Sequence, residues 1–225
     1  MPVGANLACY NFAMYTNSDI TANDEMILSN LAQYGFVIVD QYLPKQTITA
    51  LANITKEKLY HQEMQHAGTG KQAKKIQDIR GDHIHWLDES SQEPSIQEYF
   101  RRMYQLKQTM NRQLYMGLAT LETHLAMYPV GAFYQKHLDQ FSVSGSYPAN
   151  TRKVSSIVYL NDDWQPENGG QLRLYLNDGT QQDILPLGGR LVLFLSAEFW
   201  HEVLPANRQR LSLTGWFRTR ELQPV

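Results

Sequence analysis

From Leu121 onward, short runs of alternating apolar and polar residues are cut by turn-forming clusters: Tyr128-Pro-Val-Gly131, Gly145-Ser-Tyr-Pro148, Pro166-Glu-Asn-Gly-Gly170, Asn177-Asp-Gly179, Gly188-Gly189 and Pro205-Ala-Asn207. Alternation places every second side chain on one face of a strand, so each run has one side to bury. Strands of about five to eight residues at this spacing build an all-β sandwich or barrel, and their number suits a jelly roll.

Upstream the period is helical. Asn23 caps a helix running through Tyr34, with Met26, Ile27, Asn30 and Leu31 at helical spacing and Gly35 as its stop. Phe36 to Val39 reads as a short buried strand. After Pro44 a second helix carries Ile48, Leu51, Ala52, Thr55 and Leu59. Pro94 opens a third through Ile96, Tyr99, Met103, Leu106, Met110, Leu114 and Leu118. These apolar faces need a partner. The expectation is a single α+β domain: a double-stranded β-helix (jelly-roll) core over about residues 121–220, with N-terminal helices from about residues 20–120 packed on one sheet.

Charge removes several classes of function. Twenty Lys and Arg stand against 22 Asp and Glu, a net charge of −2, so no positive field gathers phosphate backbones or anionic lipid. The single Cys9 cannot form an internal bridge, and no run of apolar residues is long enough to span a membrane. The opening MPVGANLACYNFAMY has neither a basic start nor an unbroken apolar stretch. A soluble cytoplasmic protein is expected, with neither nucleic acid nor membrane as partner.

The chemistry concentrates in two places. His137 and Asp139 stand two apart in FYQKHLDQF, a parity that aims both side chains to one side of a strand. His201, at the end of a separate strand, Leu191 to Leu195, supplies a third ligand. Two neutral imidazoles and a carboxylate occupy one face of an octahedral ferrous ion and leave positions open, whereas a closed four-ligand set would be structural. Arg210 follows in RLSLTGWF, where Arg210, Ser212, Thr214 and Trp216 share one strand face and Leu211, Leu213 and Phe217 the other. Inside a barrel, that guanidinium fork matches a carboxylate, with hydroxyls such as Thr214 completing the hydrogen bonds. A buried arginine without an anion is costly. The pattern therefore asks for a dicarboxylic co-substrate that chelates iron at one end and meets Arg210 at the other. Taken alone, His-x-Asp is common by chance. His61, His66 and His124 read as residues on solvated faces or capping backbone groups, and His83 with His85 as a same-face pair lacking a third ligand.

Taken together, these residues resemble the Fe(II)/2-oxoglutarate-dependent dioxygenases, and more narrowly the prolyl hydroxylases of the oxygen-sensing type and their bacterial relatives. The resemblance runs from about Leu31 to Arg218 and includes QDIRGDHIHWLDE, with Arg80, Gly81, Asp82 and Trp86, and the IVYLNDDW and ENGGQLRLY runs. It implies Fe(II) held by His137, Asp139 and His201, with 2-oxoglutarate and O2 as co-substrates and ascorbate among the reductants accepted. It implies that Tyr159 helps Arg210 hold the distal carboxylate, with Tyr128 a second tyrosine nearby. Arg80, Asp82, Trp86, Arg152 and Trp216 fall in the peptide-substrate groove, and residues His66 to Ile79 where the family has a closing loop. The activity implied is prolyl 4-hydroxylation of an exposed loop in another protein, translation elongation factor Tu being such a target among bacterial relatives. Ser212 replaces a small apolar residue of the animal enzymes, and the Tyr128 to His137 spacing is one residue shorter than theirs. Two other readings share part of the pattern: a 2-oxoglutarate oxygenase acting on a free amino acid or small metabolite, and a non-catalytic metal-binding barrel module.

Overall fold

The structure, a computed structural model, describes residues 20–68, 79–140 and 151–220, with side chains described from Asp24 onward. Cys9, the opening segment, the Gly145 to Pro148 turn and the basic loop residues Lys71, Lys74 and Lys75 lie outside the described residues. In chain order the elements are α1 (Ile20–Tyr34), β1 (Phe36–Val39), α2 (Lys45–Tyr60), β2 (Gln65–His66), β3 (His83–Trp86), α3 (Pro94–Leu114) and β4 (Leu118–Tyr128). They continue with β5 (Tyr134–His137), β6 (Arg152–Tyr159), β7 (Leu172–Tyr175), β8 (Gln181–Ile184), β9 (Leu191–Leu195), β10 (Trp200–Val203) and β11 (Arg210–Thr219). A seven-stranded sheet has the order β1-β9-β6-β11-β4-β3-β2, and a four-stranded sheet the order β5-β10-β7-β8. All pairings are antiparallel, and from β4 to β11 the chain crosses from one sheet to the other at every step except the β7–β8 hairpin of the small sheet, the double-sheet arrangement of a jelly roll.

Two boundaries differ from the sequence expectation. The first helix has begun by Ile20, so Asn23 lies within it rather than at its cap. Gly35 does end it, at φ +76°, and donates its N–H to the Leu31 carbonyl at 3.0 Å. The third helix stops at Leu114, before the expected Leu118, because Tyr115 (φ 52°) and Gly117 (φ 67°) turn the chain left-handed. Asn111 then fixes the exit: its Oδ1 accepts from the Leu118 N–H at 2.7 Å and its Nδ2 donates to the Leu118 carbonyl at 2.8 Å. Leu118 thus opens β4.

The large sheet has an apolar cluster on each face. On the outer face, Ile27 and Leu31 of α1, Ile48 and Leu51 of α2, and Tyr99, Met103, Leu106 and Met110 of α3 cluster with Leu125, Val158, Leu193, Leu213 and Phe217 of the sheet. On the inner face, Ala126, Tyr128, Ile157, Tyr159, Val192 and Phe194 meet Leu172, Leu174, Ile184 and Val203 of the small sheet. β11 runs down the middle of the large sheet, paired with β4 on one side and β6 on the other. Its odd-numbered residues Leu211, Leu213 and Phe217 belong to the outer core, and its even-numbered ones face the space between the sheets. No helix among the described residues is long and apolar enough to cross a membrane.

Leu213 is fully buried at the centre of β11. Truncating it to Ala should cost about 3 kcal/mol through lost burial and the cavity left behind, read as a lowered urea midpoint at unchanged slope.

Candidate metal and co-substrate site

His137 is the last residue of β5 and pairs across the small sheet with His201 of β10. Two expectations need correction here. His201 belongs to a strand of its own in the small sheet, whereas Leu191 to Leu195 form β9 of the large one. Asp139 lies beyond the end of β5, so strand parity is not what brings it to His137. The chain turns toward the large sheet instead: the Gln140 N–H donates to the Ser196 carbonyl at 3.2 Å, and Ser155 Oγ of β6 donates to Asp139 Oδ2 at 2.6 Å. Ser155 is itself linked to the Ser196 hydroxyl at 2.8 Å.

The three side chains converge, with ligand atoms all within 4.8 Å of one another. His137 Nε2 lies 3.6 Å from Asp139 Oδ1, and His201 Nε2 3.6 Å from Oδ2. Each ring turns its Nδ1 to a backbone carbonyl, Gln135 at 2.8 Å for His137 and Phe199 at 3.0 Å for His201. A carbonyl oxygen only accepts, so each Nδ1 carries the proton and each Nε2 keeps its lone pair for the centre of the cluster. That donor set fits a divalent first-row ion with open positions. Burial pushes the His201 imidazole down to about 4 against the opposing pull of Asp139. Burial also works against ionising Asp139, but His201, His137 and the Ser155 hydroxyl outweigh it and hold the carboxyl below the usual carboxylate range.

Deeper between the sheets, Arg210 is 1% exposed. Its Nε donates to the Gly170 carbonyl at 2.9 Å, while Nη2 is buried with no hydrogen-bond partner, as is the Tyr159 hydroxyl. The guanidinium carbon sits 5.1 Å from the Tyr128 ring centroid and 5.0 Å from that of Tyr159. Orphaned donors around a buried cation are costly unless an anion completes them, so the arrangement fits one carboxylate group. Gly170, at φ +69°, makes the room: a Cβ there would lie 2.9 Å from Ala206 Cβ and 3.3 Å from Arg210 Cδ. Ser212 and Thr214 follow on the same face of β11, their hydroxyls 3.5 Å apart.

Farther along that face, Arg152 lies with its guanidinium carbon 3.6 Å from the Trp216 ring centroid. Its Nε donates to Glu122 Oε1 at 2.7 Å, and Arg218 donates to Glu122 Oε2 at 2.6 Å. Trp86 is 50% exposed and lies 6.4 Å from Trp216, centroid to centroid. His124, expected on a solvated face, is instead buried between these two indoles. Its position on β4, directly opposite Thr214, puts it on the inner side of the sheet. Arg80 grips Asp82 with two hydrogen bonds of 2.7 and 2.6 Å, and Arg80 also lies 4.5 Å over the Tyr134 ring. The Asp82 carboxylate is wholly enclosed, so it fixes Arg80 rather than facing outward. His61 and His66 are exposed, His85 Nδ1 donates to the Glu63 carbonyl at 2.9 Å, and the His66 and His83 rings lie 4.1 Å apart. Of the expected closing loop, only His66 to Gly68 and Ile79 are described.

Sequence reasoning did not single out Ser155, Gly170 or Glu122. The signals were present but local: two serines inside the otherwise apolar VSSIVY, the double glycine of ENGGQ, and one acid on the strand leading to Tyr128. Replacing Ser155 by Ala should weaken Mn(II) binding by roughly tenfold or more, measured by calorimetry, because the ligating carboxylate loses its orienting donor. A second expectation concerns pH. Burial pushes His124 down to about 3 and His201 down to about 4, whereas an imidazole in the unfolded chain titrates near pH ~6.5. Below that value the unfolded chain takes up protons that the folded one refuses. The metal-free protein should therefore lose stability progressively as pH falls from about 6.5 toward 4, and His124→Met should flatten that slope in denaturation curves.

The comparisons with known proteins agree with this geometry. Residues 123–218 match the family model of the 2OG-Fe(II) oxygenase superfamily. The chain is 30% identical over 207 residues to the hypoxia-inducible factor prolyl hydroxylase of Caenorhabditis elegans, covering 86% of this chain but 28% of that protein's length. Among solved structures, a Pseudomonas putida prolyl-4-hydroxylase superposes with a TM-score of 0.78 at 42% identity, over 88% of this chain and 99% of that one. A Trichoplax adhaerens prolyl hydroxylase, solved with a peptide fragment of the hypoxia-inducible factor oxygen degradation domain, gives a TM-score of 0.78 at 26% identity, over 88% and 89% of the two chains. Identity at this level across almost the whole of a solved relative shows that the chain belongs to the 2OG-Fe(II) oxygenase superfamily, among its prolyl hydroxylases.

Proposed function

We propose that the chain is a 2-oxoglutarate- and Fe(II)-dependent prolyl 4-hydroxylase that consumes O2 and acts on an exposed prolyl loop of another protein, its helices and roll working as one domain. The observation that carries this reading is an open three-ligand cluster, held mainly by the small sheet, and a buried, incompletely satisfied guanidinium on the large sheet, both turned into the space between the two sheets. His137, Asp139 and His201 would hold the iron. Arg210 and Tyr159 would bind the distal carboxylate of 2-oxoglutarate, with Tyr128 and Thr214 alongside. Together, iron, 2-oxoglutarate and O2 supply the oxidising power that puts a hydroxyl on an unactivated carbon.

The chain's own side chains do the placing. The hydrogen bonds to the Gln135 and Phe199 carbonyls keep both Nε2 atoms unprotonated and aimed inward. Ser155 orients the ligating carboxylate, and Gly170 leaves room for the Arg210 side chain. Trp86, Trp216 and Arg152 offer an aromatic and cationic wall suited to a prolyl ring and its flanking chain, with Arg80 held nearby by Asp82. No side chain is required as an acid or base, so the rate advantage comes from orientation and exclusion of water. The polypeptide substrate is supported by the peptide held by the Trichoplax relative, and a loop of elongation factor Tu is the target we propose.

Incubating the iron-loaded protein with 2-oxoglutarate and purified elongation factor Tu should add the mass of one oxygen atom to a single prolyl peptide. Arg210→Ala should raise the 2-oxoglutarate concentration needed by at least tenfold. Turnover of free proline or another small metabolite, with no protein modified in a cell extract, would replace this reading with that of a metabolite oxygenase.

A further inference from the structure

One buried group on the inner face has no part in the chemistry above. His124 is 2% exposed, stands opposite Thr214 of β11 and Trp86 of β3, and packs against the rings of Trp86 at 4.9 Å and Trp216 at 5.5 Å. Its Nδ1 is buried without a hydrogen-bond partner, and so is the neighbouring Trp216 Nε1. Buried polar atoms are ordinarily paired, and each unpaired one forfeits stability. Two of them on adjoining rings, between the arginine pocket and the exposed Trp86, mark a place where another molecule completes the hydrogen bonding.

Their chemistry indicates which molecule. An indole N–H can only donate. Burial keeps the His124 imidazole neutral, pushing it down to about 3; Asp82 opposes that fall, and Arg80 and Arg152 add to it. A neutral ring supplies an acceptor nitrogen. A donor beside an acceptor is the complement of one residue in an extended chain, whose own carbonyl and N–H point to the same side, as in a hydrogen-bonded strand pair.

We propose that His124, together with Trp216, is a specificity-determining residue of the polypeptide groove: the pair receives the carbonyl and N–H of one residue in an extended substrate segment. The groove thereby selects main chain, which a free amino acid or small metabolite does not offer in this form. The inference rests on the prolyl-peptide reading of the preceding subsection.

The test uses protein loaded with Mn(II) and 2-oxoglutarate and a fluorescein-labelled peptide spanning a loop proline of elongation factor Tu, with binding read by anisotropy and stability by thermal melting. His124→Met should bind the peptide roughly tenfold more weakly, the size of one lost hydrogen bond, while melting at a higher temperature, because an orphaned polar group has been replaced by an apolar one. His124→Gln, which keeps an acceptor, should retain most of the affinity. In a scan of N-methylated peptides, one position should weaken binding to the wild type and leave binding to His124→Met unchanged. Unchanged binding by His124→Met overturns the inference whichever way its melting point moves, as does a scan in which both proteins lose affinity alike. Should the Met variant fail to fold, the scan on wild type and the Gln variant decides, and the absence of a sensitive position overturns it. A wild type that binds no such peptide and modifies no protein in a cell extract removes the prolyl-peptide reading and this inference together; where it modifies another protein, the same series on that protein's peptide decides, and normal wild-type binding with unaffected variants removes the inference alone.

Discussion

The alternation of side chains along β11 is the constraint on which the rest of the molecule depends. One strand has to serve two environments: Leu211, Leu213 and Phe217 anchor the sheet to the helical layer, and Arg210, Ser212, Thr214 and Trp216 line the space between the sheets. A slip of one residue would exchange the two sets, burying a guanidinium among leucines. The ten-residue ladder to β4 and the pairing to β6 hold the register, so the forces that stabilise the fold also fix the direction of the site. Asn161 reinforces it at the deep end, accepting from the Leu211 N–H at 2.7 Å and donating to the Leu211 carbonyl at 3.1 Å.

Much of this was legible in the residues themselves. Gly35, Phe36 to Val39, Pro44 and Pro94 mark their elements because capping and backbone restriction are local effects. The even-odd split of RLSLTGWF is equally local, and it placed Arg210 and Trp216 on one face without reference to any other strand. Ser212 and Thr214 follow the same logic, since they sit on the same strand between Arg210 and Trp216.

What escaped depended on contacts between distant segments. Asp139 reaches the cluster not through strand parity but because Ser155 and Ser196, on two strands of the other sheet or just beyond them, draw its loop across the gap. His201 sits on a strand that its sequence gave little reason to separate from the preceding apolar run. His124 has the composition of a surface residue and becomes interior only because Trp86 and Trp216 close over it. The helix ends at Leu114 because Tyr115 and Gly117 turn left-handed, and the exit is fixed by an asparagine side chain holding the backbone of a residue seven positions on, a contact with no periodic signature.

The order of groups along β11 has a metric consequence. At about 3.3 Å per residue, six steps separate Arg210 from Trp216 by roughly 20 Å. The strand is thus a graduated scale with a buried guanidinium at its zero mark and an indole six divisions on. Under the function proposed above, reach divides the scale: a compact diacid fills the divisions nearest Arg210, and those toward Trp216 are left for a longer substrate chain.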